Sequence, residues 1–341
     1  MVVYSKDLSV LVVGKYESQT STLIASARKH YPNAEILVST WSDVTLNIVG
    51  VHKVIYCNDP GGEIFDDSEK KVNNLNRILV LSQEGLKHCS RKYTLRVRSD
   101  MLITSNSLLF LTDYLGNRCV EMSLFENRIY MYPLFSIRKD YRNGIGLHTP
   151  YHVSDWCHFG LTSDLKELFN LPLVDEPDFS RYFERHHKKI KGDIFYSRLW
   201  KMSPEQYITS SNAKKTQRIS NFETYLDTSK VIMKDSDLFI LSNFVCFSVD
   251  EWGIKIQKEQ YRNIKMAFEY GTLDYYHKKL LTDNAKINED LFNKVNVDQF
   301  TWFQRLEYRL LKAIKTHGFF YIFTGIACKI RFYLNYVLQR E

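Results

Sequence analysis

The most constraining feature of this sequence is an uncharged run of six residues, Leu8–Val13, that ends at Gly14. A continuous apolar run of this length is typical of a strand that a parallel sheet buries on both faces. Similar runs follow, separated by amphipathic segments. Over the first hundred residues we predict strands at 34–39, 51–56 and 93–97 and helices at 21–30 and 72–89. This alternation predicts an α/β fold with a doubly wound, mostly parallel, Rossmann-like sheet that binds ligands at the carboxyl ends of its strands.

The alternation is looser after residue 105, and the chain becomes polar and helical after residue 255. Here we predict a helix at 107–115, a strand at 128–137, a short helix at 164–169, a basic helix at 180–191 and a late strand or strand pair at 238–249. The sequence therefore predicts one core over residues 1–255 and a helical C-terminal region over residues 256–341.

The net charge of +7 is concentrated at the end of the chain. Residues 301–341 contain seven Lys or Arg and two Glu, which leaves the rest of the chain nearly neutral and argues against a nucleic-acid partner. The segment 303–338 combines basic residues, an apolar stripe and tyrosines, a pattern typical of amphipathic helices on an anionic membrane. A helical cap packed on the sheet would show the same pattern. The apolar run 319–328 is too short to span a bilayer.

Cysteine usage and the amino terminus indicate the compartment. The six cysteines are scattered, with no Cys-x-x-Cys pair, and the amino terminus runs directly into the first strand. We therefore predict reduced thiols in a cytosolic protein without a secretory signal.

Asp100 is the sharpest candidate for chemistry, because it follows the predicted strand 93–97. A carboxylate there is in position for a divalent cation and a phosphate-bearing ligand, and Arg96 and Arg98 are suited to neutralise a diphosphate. An Arg–Asp ion pair that closes the strand end is the alternative. A formal Asp-x-Asp pattern at 235–237 is set aside, because an apolar run follows it and would place it at the amino end of a strand, capping a turn.

Two further carboxylates are candidates. Asp155, beside Trp156, is suited to orient a sugar or to act as a general base. The alternative is a core Trp with a neighbouring surface Asp. A zinc site formed by Asp155 with His152 and His158 is disfavoured, because the sequence has no second ligand cluster. Glu205 lies in a predicted helix start with a capping box, so it is a candidate only if a crevice lies above that helix end. The basic run 181–191 is either a solvated face or a docking patch for a phosphorylated acceptor.

The order of these motifs resembles the WavE lipopolysaccharide-synthesis family, a group of bacterial glycosyltransferases of GT-A-like character. The matching pieces are the strand that ends at Gly14, the segment 34–41, Asn76-Arg77 leading through Gly85-Leu86 to Arg96-Val97-Arg98-Ser99-Asp100, Ser154-Asp155-Trp156 with Phe159-Gly160-Leu161, and Pro204-Glu205-Gln206-Tyr207. They cover about residues 8–210, with a weaker similarity over 237–255. Each motif is unspecific alone, so the order carries the resemblance.

The resemblance implies a GT-A-like transferase that moves a sugar from a nucleotide-sugar donor to a lipopolysaccharide or capsular glycan. It divides the core into a nucleotide-binding half, about residues 1–104, and an acceptor half, about residues 105–255. Asp100 takes the place of the acidic residue that binds Mn²⁺ or Mg²⁺. Arg98 stands where the first Asp of an Asp-x-Asp would be, so whether the protein requires a cation is left open. The implied nucleotide-binding residues are Gly14, Lys15, Thr40, Arg77 and Arg98, and the implied catalytic base is Asp155 or Glu205.

The implied setting is the inner face of the inner membrane, with the C-terminal region on an anionic lipid surface and a lipid-linked saccharide as acceptor. Two rivals stay open. One is a non-catalytic glycan- or membrane-binding protein with a degenerate nucleotide fold. The other is a nucleotidyl- or phosphotransferase built on the same sheet.

Overall fold

The computed structural model describes residues 3–42, 48–67, 70–113, 115, 117–140, 147–185 and 198–257. All of them belong to one compact unit of the chain. Apart from its first two residues, the predicted region 256–341 lies outside the described residues, so its helices, its basic stripe and its boundary stay predictions.

The regular elements of the described residues are short. The strands are β1 (Leu8–Val13), β2 (Glu35–Trp41), β3 (Lys53–Cys57), β4 (Glu63–Asp66), β5 (Lys71–Asn73), β6 (Tyr93–Arg98), β7 (Met101–Ile103), β8 (Ile129–Met131), β9 (Lys139–Asp140), β10 (Leu147–His148), β11 (Cys157–Leu161), β12 (Phe244–Cys246) and β13 (Ile254–Ile256). The α-helices are α1 (Ser18–His30), α2 (Leu75–His88), α3 (Thr162–Phe169), α4 (Tyr182–Arg185), α5 (Pro204–Lys215), α6 (Lys230–Asn243) and α7 (Val249–Trp252). Short 3₁₀ helices lie at Ser5–Asp7, Ser107–Phe110 and Val120–Met122.

Seven strands form a mixed central sheet in the order β12-β8-β11-β6-β1-β2-β3. β6, β1, β2 and β3 are parallel neighbours, and β12 is parallel to β8. β11 lies between these two groups and is antiparallel to both of its neighbours. The α/β class and the mostly parallel sheet are confirmed, whereas the GT-A-like character of the fold stays a prediction.

The sheet grows from β1 in both directions. The chain passes from β1 through α1 to β2 and β3 on one side, and then returns through α2 to β6 on the other side of β1. Because parallel crossovers are right-handed, this order places α1 and α2 on opposite faces of the sheet. A crevice is expected where the direction of winding reverses, at the carboxyl ends of β1 and β6.

The strands and helices predicted for the first hundred residues are confirmed to within three residues at each end, whereas the short strands β4 and β5 were not predicted. All six residues of β1 are buried, as its uncharged run predicts. α2 packs closely over β1 because Gly85 has no side chain, and a Cβ there would lie only 2.6 Å from a methyl carbon of Leu11. The parallel part of the core is therefore tightly packed directly beneath the predicted crevice.

The predicted strand or strand pair at 238–249 is mostly wrong. α6 occupies this segment as far as Asn243, and only Phe244–Cys246 form a strand. Residues 236–247 are all buried, so this end of the helix has no polar face and its sequence shows no helical period.

The other predictions for the second half have mixed outcomes. The predicted helix at 107–115 is only a 3₁₀ turn, and the predicted strand at 128–137 contains only the three residues of β8. The predicted helix at 164–169 is confirmed as α3, and α4 lies within the predicted helix at 180–191, whose residues after 185 lie outside the described part.

The Asp235-Ser236-Asp237 pattern lies within α6, so the expectation that it precedes a strand and caps a turn is wrong. Asp237 is buried and accepts from the Nε and Nη2 of Arg138 at 3.0 and 2.9 Å. Asp235 accepts from the backbone N–H of Ser220 at 2.7 Å. Both carboxylates have structural partners, which supports setting the pattern aside as a metal site.

None of the five cysteines within the described residues forms a disulfide. In the same part of the chain, no helix combines the length and the hydropathy that crossing a membrane requires.

Candidate active site

A cleft of about 830 Å³ opens at the carboxyl ends of the parallel strands. Its volume lies within the range of small-molecule sites. Among the residues that line it are seven of the eight predicted site residues, namely Gly14, Lys15, Arg77, Arg98, Asp100, Asp155 and Glu205. The eighth, Thr40, is buried within β2, and the next two residues, Trp41 and Ser42, line the cleft instead.

Gly14 brings the ends of β1 and β6 together at the floor of the cleft. Its φ of +138° is one that residues with a side chain rarely adopt. The Ser99 N–H donates to the Val13 carbonyl oxygen at 2.9 Å, which extends the ladder one step past the two strands. A Cβ on Gly14 would lie 2.3 Å from the Ser99 Oγ, so only glycine fits this contact without rearrangement.

Arg98 and Asp100 form a bidentate ion pair at the end of β6. The Arg98 Nε and Nη2 donate to the two carboxylate oxygens at 3.1 and 2.7 Å. The guanidinium also lies over the Trp156 ring, 4.1 Å from its centroid. Because the Arg98 side chain is 30% exposed and that of Asp100 only 9%, the positive partner presents its charge to the cleft.

This arrangement does not fit a divalent cation as it stands. Both oxygens of Asp100 already accept from a guanidinium, and Mg²⁺ or Mn²⁺ prefers a shell of several oxygen ligands. Within the part of the chain that the structure describes, no group of three or more His, Cys, Asp or Glu is placed to hold a metal ion. The cation at Asp100 stays a prediction, and no step below depends on it.

Arg77 forms a second bidentate pair across the cleft. Its Nε and Nη2 donate to Asp59 at 2.8 and 2.7 Å, and its Nη1 donates to the Asn74 Oδ1 at 3.0 Å. Hydrogen bonding to this guanidinium holds the pKa of Asp59 below its usual value. The pair joins the first turn of α2 to the loop after β3 and leaves about a third of each side chain exposed.

Asp155 reaches the cleft because β11 is antiparallel to β6. Cys157 pairs with Val97, and the Arg98 N–H donates to the Trp156 carbonyl oxygen at 3.2 Å. The residues that precede β11 therefore lie beside the carboxyl end of β6.

The environment of Asp155 raises its affinity for a proton. Burial, followed by the nearby charge of Glu205, raises the pKa of Asp155 to about 6, whereas Arg98 and Arg96 act in the opposite direction. A carboxyl group with a pKa near 6 exchanges its proton close to neutral pH, as general acid–base catalysis requires.

Arg96 places a buried positive charge under the same end of the sheet. Its Nε donates to the Ser82 Oγ of α2 at 2.8 Å, and its Nη1 donates to the backbone carbonyl oxygen of Asp155. The guanidinium also lies 4.6 Å from the centroid of Phe169. Burial lowers the pKa of Arg96 to about 10, so it stays a cation at neutral pH. Arg96 thus fixes the main chain of Asp155 and contributes charge to the cleft wall.

Glu205 reaches the cleft from the first turn of α5. The predicted capping box is present, with the Ser203 Oγ accepting from the Gln206 N–H at 3.2 Å and the Gln206 Oε1 accepting from the Ser203 N–H at 3.3 Å. The predicted helix start at Pro204 is confirmed. Because this helix end lies at the cleft, the condition that made Glu205 a candidate is met.

His152 lies behind Glu205. Its Nε2 is 3.8 Å from the Glu205 Oε2, and its Nδ1 is 2.8 Å from the Phe135 carbonyl oxygen. Because a carbonyl oxygen only accepts, Nδ1 carries a hydrogen, and Nε2 faces the carboxylate. A protonated His152 would therefore stabilise the ionised form of Glu205.

A family model described as WavE lipopolysaccharide synthesis matches residues 13–316. The chain belongs to the WavE family. The match covers most of the chain and every cleft residue named above, so it confirms the resemblance drawn from the order of the motifs. Among curated proteins, none matches the chain.

Membership of the WavE family links the chain to lipopolysaccharide synthesis, whereas the function of the cleft and the roles of its residues stay predictions. Trp156 is 4% exposed and stacks on Phe135 at 4.6 Å, so it is a core Trp and its ring is not open to a sugar. The other half of that alternative, a surface Asp, is wrong, because Asp155 is buried and lines the cleft. His158 is buried in β11, and burial holds its pKa well below the usual value. The zinc interpretation has no support among the residues described.

The basic run at 181–191 is partly described. Arg181 pairs with Asp67 and Glu184, and Arg185 pairs with Asp178. These exposed ion pairs fit the solvated-face alternative for this part of the run. Residues 186–191, which carry the rest of its basic charge, lie outside the described residues.

The sequence analysis missed two aromatic residues of the cleft, Phe65 and Trp200. Their rings stack with centroids 3.9 Å apart and an interplanar angle of 6°. Neither residue lies in a recognisable motif, and they are far apart in the chain. The one available signal was the position of Trp200 shortly before the predicted start of α5.

Proposed function

We propose that this WavE family member is a glycosyltransferase that moves a sugar from a nucleotide-sugar donor to a saccharide of lipopolysaccharide or capsule. The observation that carries the proposal is the convergence of cations and proton-accepting carboxylates in one cleft at the carboxyl ends of β1 and β6. Family membership supports the saccharide class of substrate. The rival phosphotransferase would share the cations but would form no glycosidic bond.

The donor side of the proposal rests on the positive charge of the cleft. Lys15, Arg96 and Arg98 line it beside the floor formed at Gly14. As the bond from the anomeric carbon to the diphosphate breaks, the leaving group takes the electron pair and gains negative charge. Fixed cations stabilise that charge, and they do so more strongly in a cleft that excludes water. Trp41 and Ser42, at the end of β2, extend the site in the direction expected for the ribose and the base.

The acceptor side requires a base if the reaction inverts the configuration of the sugar. The acceptor hydroxyl oxygen attacks the anomeric carbon, and its proton passes to a carboxylate. Asp155 and Glu205 both line the cleft, and each is a candidate. The pKa of Asp155 near 6 supports its use as a base at neutral pH, and the Glu205 carboxylate lies 3.8 Å from the His152 Nε2. A divalent cation, if one binds at Asp100, would supply further positive charge to the diphosphate.

The first experiment is a donor and acceptor screen with the full-length chain. UDP-, GDP- and CMP-sugars are incubated with lipopolysaccharide core oligosaccharide, with and without Mn²⁺, and products are analysed by mass spectrometry for a new glycosidic linkage. We expect one donor class to give product. We also expect the base to be identified by a loss of roughly 10²-fold to 10⁴-fold in rate for D155N or E205Q. The exposed Asp175 provides the matched control, D175N. Tight nucleotide binding with no product from any donor would favour the non-catalytic rival.

The location of the protein is a separate proposal. The basic, amphipathic segment 303–338 would hold the enzyme on the inner face of the inner membrane, where lipid-linked acceptors are presented. Full-length protein should co-sediment with vesicles that contain anionic lipid, and a chain ending at residue 302 should not. Unfolding of the truncated chain would favour the helical-cap alternative.

A further inference from the structure

Phe65 and Trp200 form a flat aromatic surface on the wall of the cleft, which we call the aromatic platform. Trp200 is partly exposed, whereas Phe65 is 8% exposed, so the indole is the outer layer of the stack. Among the described residues, the Phe65 ring is the one aromatic or charged group that stacks on the Trp200 indole. One face of the indole is therefore covered by Phe65, and the residue lines the cleft.

The platform is held in place by the main chain on both sides of Trp200. The Leu199 N–H donates to the Phe65 carbonyl oxygen at 2.8 Å, and the Lys201 N–H donates to the Phe179 carbonyl oxygen at 2.8 Å. These bonds fix the backbone of Trp200 before any ligand arrives. A preformed surface loses little conformational entropy on binding, which favours affinity.

The platform belongs to the same short segment as a candidate base. Trp200 lies shortly before Ser203, the N-cap of α5, and Glu205 lies in the first turn of that helix. Both residues line the same cleft. One short segment therefore contributes both an aromatic surface and a carboxylate to the same cleft.

The chemistry of the cleft favours a saccharide over a nucleobase as the ligand of the aromatic platform. A pyranose has an apolar C–H face that packs on an aromatic ring and a rim of hydroxyl groups that require hydrogen-bonding partners. Asn74, Arg77 and Glu205 are polar side chains of the same cleft, and a hydroxyl group could join the existing hydrogen bonds of Arg77 to Asp59 and Asn74. A nucleobase would also stack on an indole, but the expected place for the donor base is the end of β2, at Trp41.

We propose that the aromatic platform is the acceptor subsite, where Trp200 packs on the C–H face of the saccharide and Glu205 lies near its reactive hydroxyl. This inference rests on the proposed function, because it assigns the saccharide that receives the sugar. It adds two residues, Phe65 and Trp200, for which no role was predicted.

The test is saccharide binding by the full-length protein, measured by saturation-transfer NMR with core oligosaccharide released from lipopolysaccharide by mild acid. W200A removes the ring, W200F keeps a ring, and W200L keeps apolar volume without a ring. Phe110, which is 59% exposed and does not line the cleft, provides the matched control F110A. Circular dichroism and thermal unfolding report whether each variant is folded.

We expect W200A and W200L to weaken saccharide binding about tenfold, W200F to stay within about threefold of the wild type, and F110A to have no effect. Affinities for UDP, GDP and CMP should not change. In a transfer assay, W200A should raise the acceptor KM far more than it lowers kcat. If W200A does not fold, the comparison of W200F with W200L carries the test, because both side chains fill the site.

Three results would overturn the inference: no binding of the oligosaccharide to the wild type, equal binding by W200L and W200F, or a loss confined to nucleotide affinity, which would assign the indole to the donor base. Failure of the proposed function is distinguishable from these. Saccharide binding that depends on the ring of Trp200, without transfer from any donor, would support the saccharide subsite and contradict the proposed glycosyltransferase activity.

Discussion

Arg98 donates to both carboxylate oxygens of Asp100, so the acidic residue that follows β6 already faces a cation. A metal ion at this position must compete with the guanidinium for the same two oxygen atoms. The competition can be measured without any knowledge of the sugar donor.

We predict that R98Q binds Mn²⁺ about tenfold more tightly than the wild type, because the substitution removes the cation that competes for the Asp100 oxygens. The double variant R98Q/D100N should lose this gain. R77Q is the matched control, since it opens the other bidentate pair of the cleft. Electron paramagnetic resonance of free Mn²⁺ measures the affinity. Equal Mn²⁺ affinity in R98Q and the wild type would mean that Asp100 is not a metal ligand.

We predict that G14A lowers the free energy of unfolding by about 3 kcal/mol, because the new Cβ meets Ser99 and the backbone has a positive φ. Gly61 offers a matched control, since its φ is +82° and a Cβ there meets nothing within 4 Å. G61A should therefore cost only about 1 kcal/mol. Urea denaturation measures both. If the two variants are equally stable, the close approach of β1 and β6 does not depend on Gly14.

We predict that D155N becomes more stable relative to the wild type as the pH rises. The pKa of Asp155 is about 6 in the folded protein and near 3.8 in the unfolded chain, so the folded state binds the proton more tightly. The stabilisation from that proton is fully present below pH 3.8 and is lost as the pH rises through 6. Between pH 4 and pH 8 the wild type should lose about 2 to 3 kcal/mol relative to D155N.

Denaturation curves across this pH range test the prediction for Asp155. D175N, at an exposed position, should follow the wild type throughout. A constant difference between D155N and the wild type would show that the buried carboxyl does not titrate in this range.

We predict that Asp237 supports the fold and not the reaction. Its bidentate pair with Arg138 is buried on both sides, so D237A or R138M alone should cost about 3 to 5 kcal/mol. The double variant R138M/D237A should cost less than the sum of the two, because no unpaired charge is left. Lys87 and Glu84 form an exposed pair for comparison, and E84A should change stability by less than about 0.5 kcal/mol. A folded D237A that loses transfer would instead point to a direct role in the reaction.

The first half of the site was predictable from the sequence because it depends on where parallel strands end. An uncharged run indicates β1 and its end at Gly14. The parallel strand β6 ends at the same edge of the sheet, and Asp100 follows it. These inferences need only local patterns and the rule that ligands bind at carboxyl ends. The pairing between Arg98 and Asp100 was open at that stage, since spacing alone does not distinguish an ion pair from a metal ligand.

The second half was less predictable because it depends on contacts between distant segments. Asp155 faces the cleft only because β11 is antiparallel to β6. The sequence of a five-residue strand does not indicate whether the strand runs parallel or antiparallel to its neighbour. Trp200 stacks on Phe65 across more than a hundred residues. α6 was mistaken for a strand because burial on every side removed the polar positions that reveal a helical period.

The reversed direction of β11 has a consequence for how the proposed function could vary within one fold. In the proposed enzyme, the residues that follow β1 and β6 bind the donor, whereas the loop before β11 and the first turn of α5 form the other wall of the cleft from chain that lies outside the parallel strands. Under the proposed function, substitutions in that second wall would change the choice of acceptor and leave unchanged the register of the parallel strands, and with it the binding of the diphosphate. The same scaffold would then extend different glycans from one activated sugar.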